Sequence, residues 1–431
     1  MNKRLILLIS FLFVFRVFYG LASEFWFPDE LQIYLIGLKS FTTGTWPFYG
    51  PDIVYTNTQI SGALQGLLVS IPFYLLKIPE APTLFLNILS FISLSFLAYY
   101  ITIRIKGIPT WLIWVLIMTT PWSLYYSTRV INPSYALVFS IPFFIAILDL
   151  LPIYKKPFLS VKWAHFIMGI TTTFIMQLHL SWVLLIPFSA LVFISRIKNP
   201  IKKQIGSLSI YVLGLLIGAI TIIPTLLLPE TQNSSIESNI IFNWENWSSM
   251  PLIILRFLSL SSYEMIYILG GTYVKMLEVL KEILWVSPFA IILLILGFIQ
   301  VTAFIITFFY NKSSEEWRKI KYLTLASILL LYLSFFFSIK GPSSHTFYIL
   351  LPLSIFYSFY CYQWIISKKA FTLKVLKVAA IIGVVFHFGL GVYNFQYKSL
   401  YVDRQKVEQS LQQMDYTILG YRRADGLGYG Y

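Results

Sequence analysis

LILLISFLFVFRVFYGLASEFWFPDELQIY, residues 5–34, decides the reading of this chain. Its first eighteen residues, 5–22, are apolar except for Ser10 and Arg16. A run of about 20 apolar residues matches the thickness of a bilayer's hydrocarbon core. In lipid the backbone must bond to itself, so the run is expected to be a helix. It breaks at Ser23-Glu24, and an acidic pair, Asp29-Glu30, follows at once between Trp26 and Leu31. No small-residue cleavage site precedes that break, so an uncleaved first span is expected rather than a signal peptide.

Runs of this kind recur along the chain. Of its 431 residues 58% are hydrophobic and only 12% charged, with a mean hydropathy of +0.75. A soluble domain carries about twice that charge fraction, so lipid is expected to act as solvent for much of the surface. No short alternating segments of a membrane β-barrel are visible. The expected fold class is all-α: a polytopic transmembrane bundle of about 11 spans, near 5–22, 83–103, 108–126, 133–152, 163–178, 181–195, 207–228, 286–309, 322–339, 347–365 and 375–394.

The net charge of +14 would point to nucleic acid in a soluble protein. Here it reads as basic residues flanking spans, with no nucleic-acid partner expected. Stretches 1–4, 104–107, 153–162, 196–206, 310–321 and 366–377 hold 19 of the 32 Lys and Arg. With this span count all six fall on one side, which the positive-inside rule makes the cytoplasm. The N-terminus is then inside. Residues 163–195 test the scheme, because one straight helix would be about 50 Å long, too long for a core of about 30 Å. Both flanks are basic, so a tight hairpin turning near His179 is expected.

The expected organisation is a transmembrane module, 1–394, with two large extracytoplasmic loops and a short polar tail, 395–431. The first loop, 23–82, carries the acidic pair, Asp52 and an apolar stretch, Ile60–Leu76, read as a helix along the membrane surface. The second, 229–285, holds six Glu, among them Glu264, with aromatic residues, and reads as interfacial helices. The lone Cys361 excludes a disulfide framework or multi-cysteine metal site within this chain. No nucleotide-binding loop, dinucleotide fingerprint or zincin His pair occurs.

A few polar residues carry the chemistry. Pro28 followed by acids is an ordinary helix start. Adjacent carboxylates at a membrane rim also suit a general base of raised pKa or a divalent-cation site. Arg129, in YYSTRVINP (125–133), reads either as a headgroup contact or as a phosphate ligand, for which guanidinium is suited. Asn132 reads as a sugar ligand or a cap of the next helix. His179, beside Gln177 and Ser181, reads as a packing residue or a cavity residue. Lys340, His345 and Tyr348, in KGPSSHTFY (340–348), read as a grip on an anionic headgroup or as a snorkelling Lys beside an interfacial aromatic residue. His165 and His387 have nothing polar nearby and read as structural. Arg16, within the first span, is expected to pair with a core acid.

The order of these pieces resembles the GT-C fold of integral membrane glycosyltransferases that use polyprenyl-phosphate sugars. It is most similar to the family 39 and aminoarabinose-transferase-like group, which includes protein O-mannosyltransferases. The resemblance runs over roughly 5–365. It rests on Asp29-Glu30 with Tyr34 following, the helix at Ile60–Leu76, the second span ending in Arg104-Ile105-Lys106, the turn from Pro121 to Pro133, the hairpin from Gly169 to Pro187, and HTFYILLP (345–352). It implies Asp29 as general base or orienting carboxylate with Glu30 in support. It also implies Arg129, His345 and Lys340 on the donor phosphate. Tyr34, Asp52, Asn132, His179 and Tyr348 are expected around the substrates. NTQISG (57–62) stands where many members have a His-Pro-Pro motif, and Asn132-Pro133 where many have an acid, so sugar and acceptor are left open. The implied activity is transfer of a single sugar from the polyprenyl-phosphate donor to a lipid, glycan or protein, in a bacterial inner membrane. The rivals are a flippase or transporter of a lipid-linked sugar, which should bury ionisable residues at mid-membrane, and a polysaccharide polymerase or ligase, whose products would be long.

Overall fold

The computed structural model describes residues 3–23, 28–53, 58–228, 242–264, 268–269, 273–338, 341, 344–396 and 400–420. The chain opens with α1 (Lys3–Ala22) and α2 (Pro28–Thr43). A hairpin of β1 (Tyr49–Ile53) and β2 (Thr58–Ser61) follows, antiparallel, with Asp52 opposite Gln59. Then come α3 (Leu64–Leu75), α4 (Ala81–Arg104), α5 (Thr110–Thr119), α6 (Pro121–Ser127), α7 (Ala136–Leu150), α8 (Val161–Met176), α9 (Leu185–Ser195), α10 (Ile201–Ala219) and the short α11 (Ile223–Leu226). The second half holds α12 (Met250–Ser259), α13 (Tyr273–Glu282), α14 (Ser287–Tyr310), α15 (Glu315–Phe335), α16 (Ser344–Tyr348), α17 (Leu351–Lys368), α18 (Phe371–Gln396) and α19 (Leu400–Gln413).

The molecule is therefore nearly all-α. A helix occupies every segment expected to span, and five of them, α1, α4, α10, α14 and α18, are long and apolar enough to cross a membrane. Others are shorter than the expected spans for visible reasons. The segment 108–126 breaks at Thr120, which is extended (ψ 143°) before Pro121, so α5 and α6 are separate helices. Proline lacks the N–H that would continue the ladder and holds its predecessor out of the helical region. The segment 163–195 turns as expected: α8 ends at Met176, and a 3₁₀ turn, Leu180–Leu184, leads into α9. The hairpin β1–β2 was not anticipated.

The basic segments meet at one end of the bundle. The Arg104 guanidinium donates to the Lys156 carbonyl at 2.8 Å and pairs with Asp149 at 3.2 Å. Asp149 also accepts from the Tyr100 hydroxyl and from the main-chain N–H groups of Phe158 and Leu159. Arg196 donates to the Leu150 carbonyl, Lys319 to that of Pro152, and Gln363 to that of Lys106.

The other end holds α2, the hairpin and α3. Ala63 N–H donates to the Thr221 carbonyl and the Thr225 hydroxyl to the Phe48 carbonyl, so this layer rests on the end of α10. Residues 400–420, expected as part of a polar tail, fold back onto it. Val407, Leu411 and Leu419 join Ile33, Leu38 and Phe41 in one apolar cluster, and Arg404 pairs with Glu80 just before α4. The sequence hides this because α19 is polar on most of its surface and shows only a few apolar residues.

Close helix contacts use glycine. A side chain at Gly169 would meet the Tyr211 carbonyl at 2.2 Å, and one at Gly214 the Phe166 carbonyl at 2.4 Å. Backbones of α8 and α10 thus touch directly, as small residues allow in membrane helices.

Candidate functional site

The corner where α1 and α6 end is built around Gly20. A Cβ there would lie 2.1 Å from the Thr128 carbonyl oxygen. The same oxygen accepts a 2.7 Å bond from Asn87 of α4. The last turn of α1 is thereby held against the end of α6, and Arg129 follows. Arg129 is buried, donates to the Tyr125 carbonyl at 3.2 Å and to the Ser23 carbonyl at 3.3 Å, and lies 3.8 Å over the Tyr125 ring. Asn394, near the end of α18, donates to the Ser23 hydroxyl at 3.1 Å. Ser23 is the point from which the chain leaves for the acidic pair.

Asp29 and Glu30 stand in the first turn of α2; their side chains lie outside the described residues. Gln32, about one turn later, is buried, and its side-chain oxygen accepts from the Asp52 main-chain N–H at 3.2 Å. Half-buried Asp52 on β1 is thus tied to the start of α2. Lys340 lies outside the described residues. His345 stands on α16, with its side chain likewise outside them. That helix packs on α6: Phe347 meets Trp122 with ring centroids 5.9 Å apart, and Tyr348 meets Tyr126 at 5.2 Å.

Arg16 departs from expectation. It is fully buried, and among the described residues no carboxylate pairs with it. Its guanidinium donates to the Met118 carbonyl at 2.8 Å, to the hydroxyls of Ser123 (3.0 Å), Ser127 (2.6 Å) and Ser90 (3.4 Å), and to the Ser127 carbonyl at 3.5 Å. The break at Thr120-Pro121 explains this. It frees carbonyls at the C-terminal end of α5, where a cation is favoured. Neutral oxygens and helix ends take the place of the acid.

The remaining candidates are in other settings. Tyr34 is wholly buried, its hydroxyl bonded to Thr83 at 3.1 Å, which makes it part of the α2–α4 packing. Tyr348 is wholly buried against Tyr126. His179 caps the 3₁₀ turn: its Nδ1 accepts from the Ser181 main-chain N–H at 3.1 Å and lies 2.6 Å from the Ser181 hydroxyl. Asn132 does not cap α7, which begins four residues later with no side-chain cap. It is half-buried in a turn closed by the Ser134 N–H on the Ile131 carbonyl.

One cluster went unseen in the sequence. Arg256 of α12 pairs with Glu264 at 2.6 Å, and Glu264 also accepts from the hydroxyls of Ser261 (2.9 Å) and Tyr263 (3.3 Å). Burial and the adjacent carboxylate push the Tyr263 phenol above its ordinary range. The Arg256 guanidinium lies 5.6 Å from the Phe347 ring centre, so this ion pair borders α16. Between the end of α12 and Glu264 lie only the four irregular residues Leu260–Tyr263, a turn that no helical or strand period would reveal. Among the described residues no three His, Cys, Asp or Glu side chains cluster as for a metal.

The fold and this corner define a nearly all-α protein with several helices suited to a membrane. Compared with models of protein families, with curated proteins and with solved structures, the chain matches none.

Proposed function

We propose that this chain is a GT-C-type membrane glycosyltransferase of about 11 spans. It would move one sugar from a polyprenyl-phosphate donor to a lipid, glycan or protein acceptor on the extracytoplasmic face of a bacterial inner membrane. One observation carries the reading. Three segments far apart in sequence share one corner, opposite the basic loops: the end of α1 leading to Asp29-Glu30, the end of α6 with Arg129, and α16 with His345. The resemblance in the order of the motifs adds to it.

The chemistry asks for such a grouping. Attack at the anomeric carbon develops positive charge on the sugar while negative charge grows on the departing phosphate. In this reading Asp29 takes the proton from the acceptor hydroxyl or amine, and Glu30 supports it. Arg129, with Lys340 and His345, holds the phosphate. A lipid phosphate leaves readily without protonation, and a single displacement inverts the anomeric centre.

The test is mass spectrometry of envelope glycolipids and glycoproteins from cells with and without the protein. An acceptor should lose one hexose- or pentose-sized mass in its absence. Wild type should restore it; Asp29→Asn, present at the same level in the membrane, should restore less than about 1%, the loss expected for a general base. Full restoration by Asp29→Asn would remove Asp29 from the mechanism. Movement of lipid-linked sugar across vesicles with no new glycosidic bond would replace transfer with transport.

A further inference from the structure

The geometry points to a second site, beside that corner: a cavity ringed by α5, α14, α17 and α18 that takes a single-chain, electrically neutral lipid and reads its polar end with His387. This inference does not rest on sugar transfer.

The cavity has a volume of about 330 Å³ and is overwhelmingly apolar. Along α18 it runs from Thr372 to His387, which at 1.5 Å per residue is about 22 Å. A long, narrow space near the lower end of the ~300–1,000 Å³ range of ligand pockets suits one hydrocarbon chain rather than two. Among the described residues no Asp, Glu, Lys or Arg lines it. A charged group inside would therefore be desolvated with nothing to balance it.

Polar groups in the wall are mostly bonded to protein. Thr119 and Ser358 donate back to their own helices, Gln300 donates to the Leu258 carbonyl, and Tyr362 donates to Gln300. His387 is the exception. It is 1% exposed, and neither ring nitrogen has a hydrogen-bond partner. Its ring neighbours are Tyr19, edge-on at 5.4 Å, and Phe386 at 4.9 Å. Buried polar atoms in native proteins nearly always find a partner. A neutral imidazole offers one donor and one acceptor, which a hydroxyl matches on both counts. Gly383 marks where a chain would lie, since it lines the cavity and a Cβ added there meets nothing within 4 Å.

The test uses the full chain in phosphatidylcholine nanodiscs and, as probe, 1-hexadecanol carrying a mid-chain diazirine. After irradiation, labelled peptides should map to α14, α17 and α18. Unlabelled 1-hexadecanol should compete about tenfold better than hexadecane, the worth of one buried hydrogen bond, and better than palmitate. His387→Leu should abolish the difference between alcohol and alkane, and His387→Gln should keep part of it. Gly383→Leu should cut labelling at least about tenfold with an unchanged melting temperature, because the added side chain fills open space in a helix. Labelling of α10 as strong as that of α18 and indifferent to Gly383→Leu would overturn the site. Equal competition by hexadecane in the wild type would overturn the role of His387, and equal competition by palmitate would overturn the neutrality of the ligand.

Discussion

Arg16 shows how a charge survives inside this protein without an opposite charge. Its donors are spread over two helix ends and three serines, and a flat, forked guanidinium is the group that can reach them together. Lysine keeps the charge but presents it as a point. Arg16→Lys is therefore expected to strand some of these oxygens and lower stability by roughly 1–3 kcal/mol, read as a fall in melting temperature of the detergent-solubilised protein. An unchanged melting temperature would mean that the hydroxyls are satisfied without the guanidinium. The sequence exposed Arg16 as an anomaly but suggested an acid as its partner. The real partners follow from the helix break at Thr120-Pro121, a tertiary consequence of one proline. Arg129 stood out in the sequence as a basic residue in a short turn between apolar runs, and it is buried where α1 and α6 end, whereas Arg256–Glu264 depends on an irregular turn that no period encodes.

At the scale of elements, apolar run length located the helices but not the contacts between them. The hairpin near His179 followed from arithmetic on length and flanking charge. The strands β1 and β2 did not, being four or five residues each with no alternation to mark them. Where helices touch, the deciding residue is a glycine, and a glycine in an apolar run looks the same whether it faces a neighbour or lipid. Gly20 and Gly206 separate the two cases. Gly20→Val would drive a side chain into the Thr128 carbonyl and the Asn87 amide, shifting the end of α1 from α6 and from Arg129. If the chain transfers sugar as proposed, that transfer should drop at least about tenfold, since displacements of about 1 Å at a reacting centre cost more than that, while the protein still inserts. Gly206→Ala meets nothing within 4 Å and should be neutral or stabilising by about 0.5–1 kcal/mol. Loss of activity in both variants would show that glycine matters here for flexibility and not for fit.

The C-terminal helix α19 is the second case at this scale, because two kinds of contact hold it. The Arg404–Glu80 pair is part-exposed, at 37% and 26% for the two side chains, and such pairs contribute about 0.2–1 kcal/mol. Val407 and Leu411 are almost wholly buried against the α2 layer, and burying such side chains is worth about 1.5–3 kcal/mol each. Apolar contact should therefore dominate. Limited proteolysis should cut within 400–413 much faster, by about tenfold or more, in Val407→Asp, while Arg404→Ala changes the rate by less than about fivefold. The reverse order would make the ion pair the true fastening.

For the whole molecule, the distribution of charge and the fold agree on a polarity along the bundle. Carbonyls of Leu150, Pro152, Lys156 and Lys106 receive donors from Arg196, Lys319, Arg104 and Gln363, so the basic connections on either side of these residues are knitted into one end. At the opposite end lie the α2 layer, Arg129 and α16. In the proposed reading, the rule that basic short loops stay inside would put the knitted end in the cytoplasm and the Arg129 corner outside, where the proposed reaction needs its donor headgroup. The single native cysteine, Cys361, is buried, so cysteine scanning can start from Cys361→Ser. Lys156→Cys and Lys312→Cys should react with a membrane-impermeant maleimide only after the cells are opened. Gly44→Cys, in an exposed turn beyond α2, should react in intact cells whose outer barrier admits the reagent. Reaction of Lys156→Cys in intact cells would place the basic end outside. The Arg129 corner would then face the cytoplasm, and the charge rule, not the fold, would be the premise that failed.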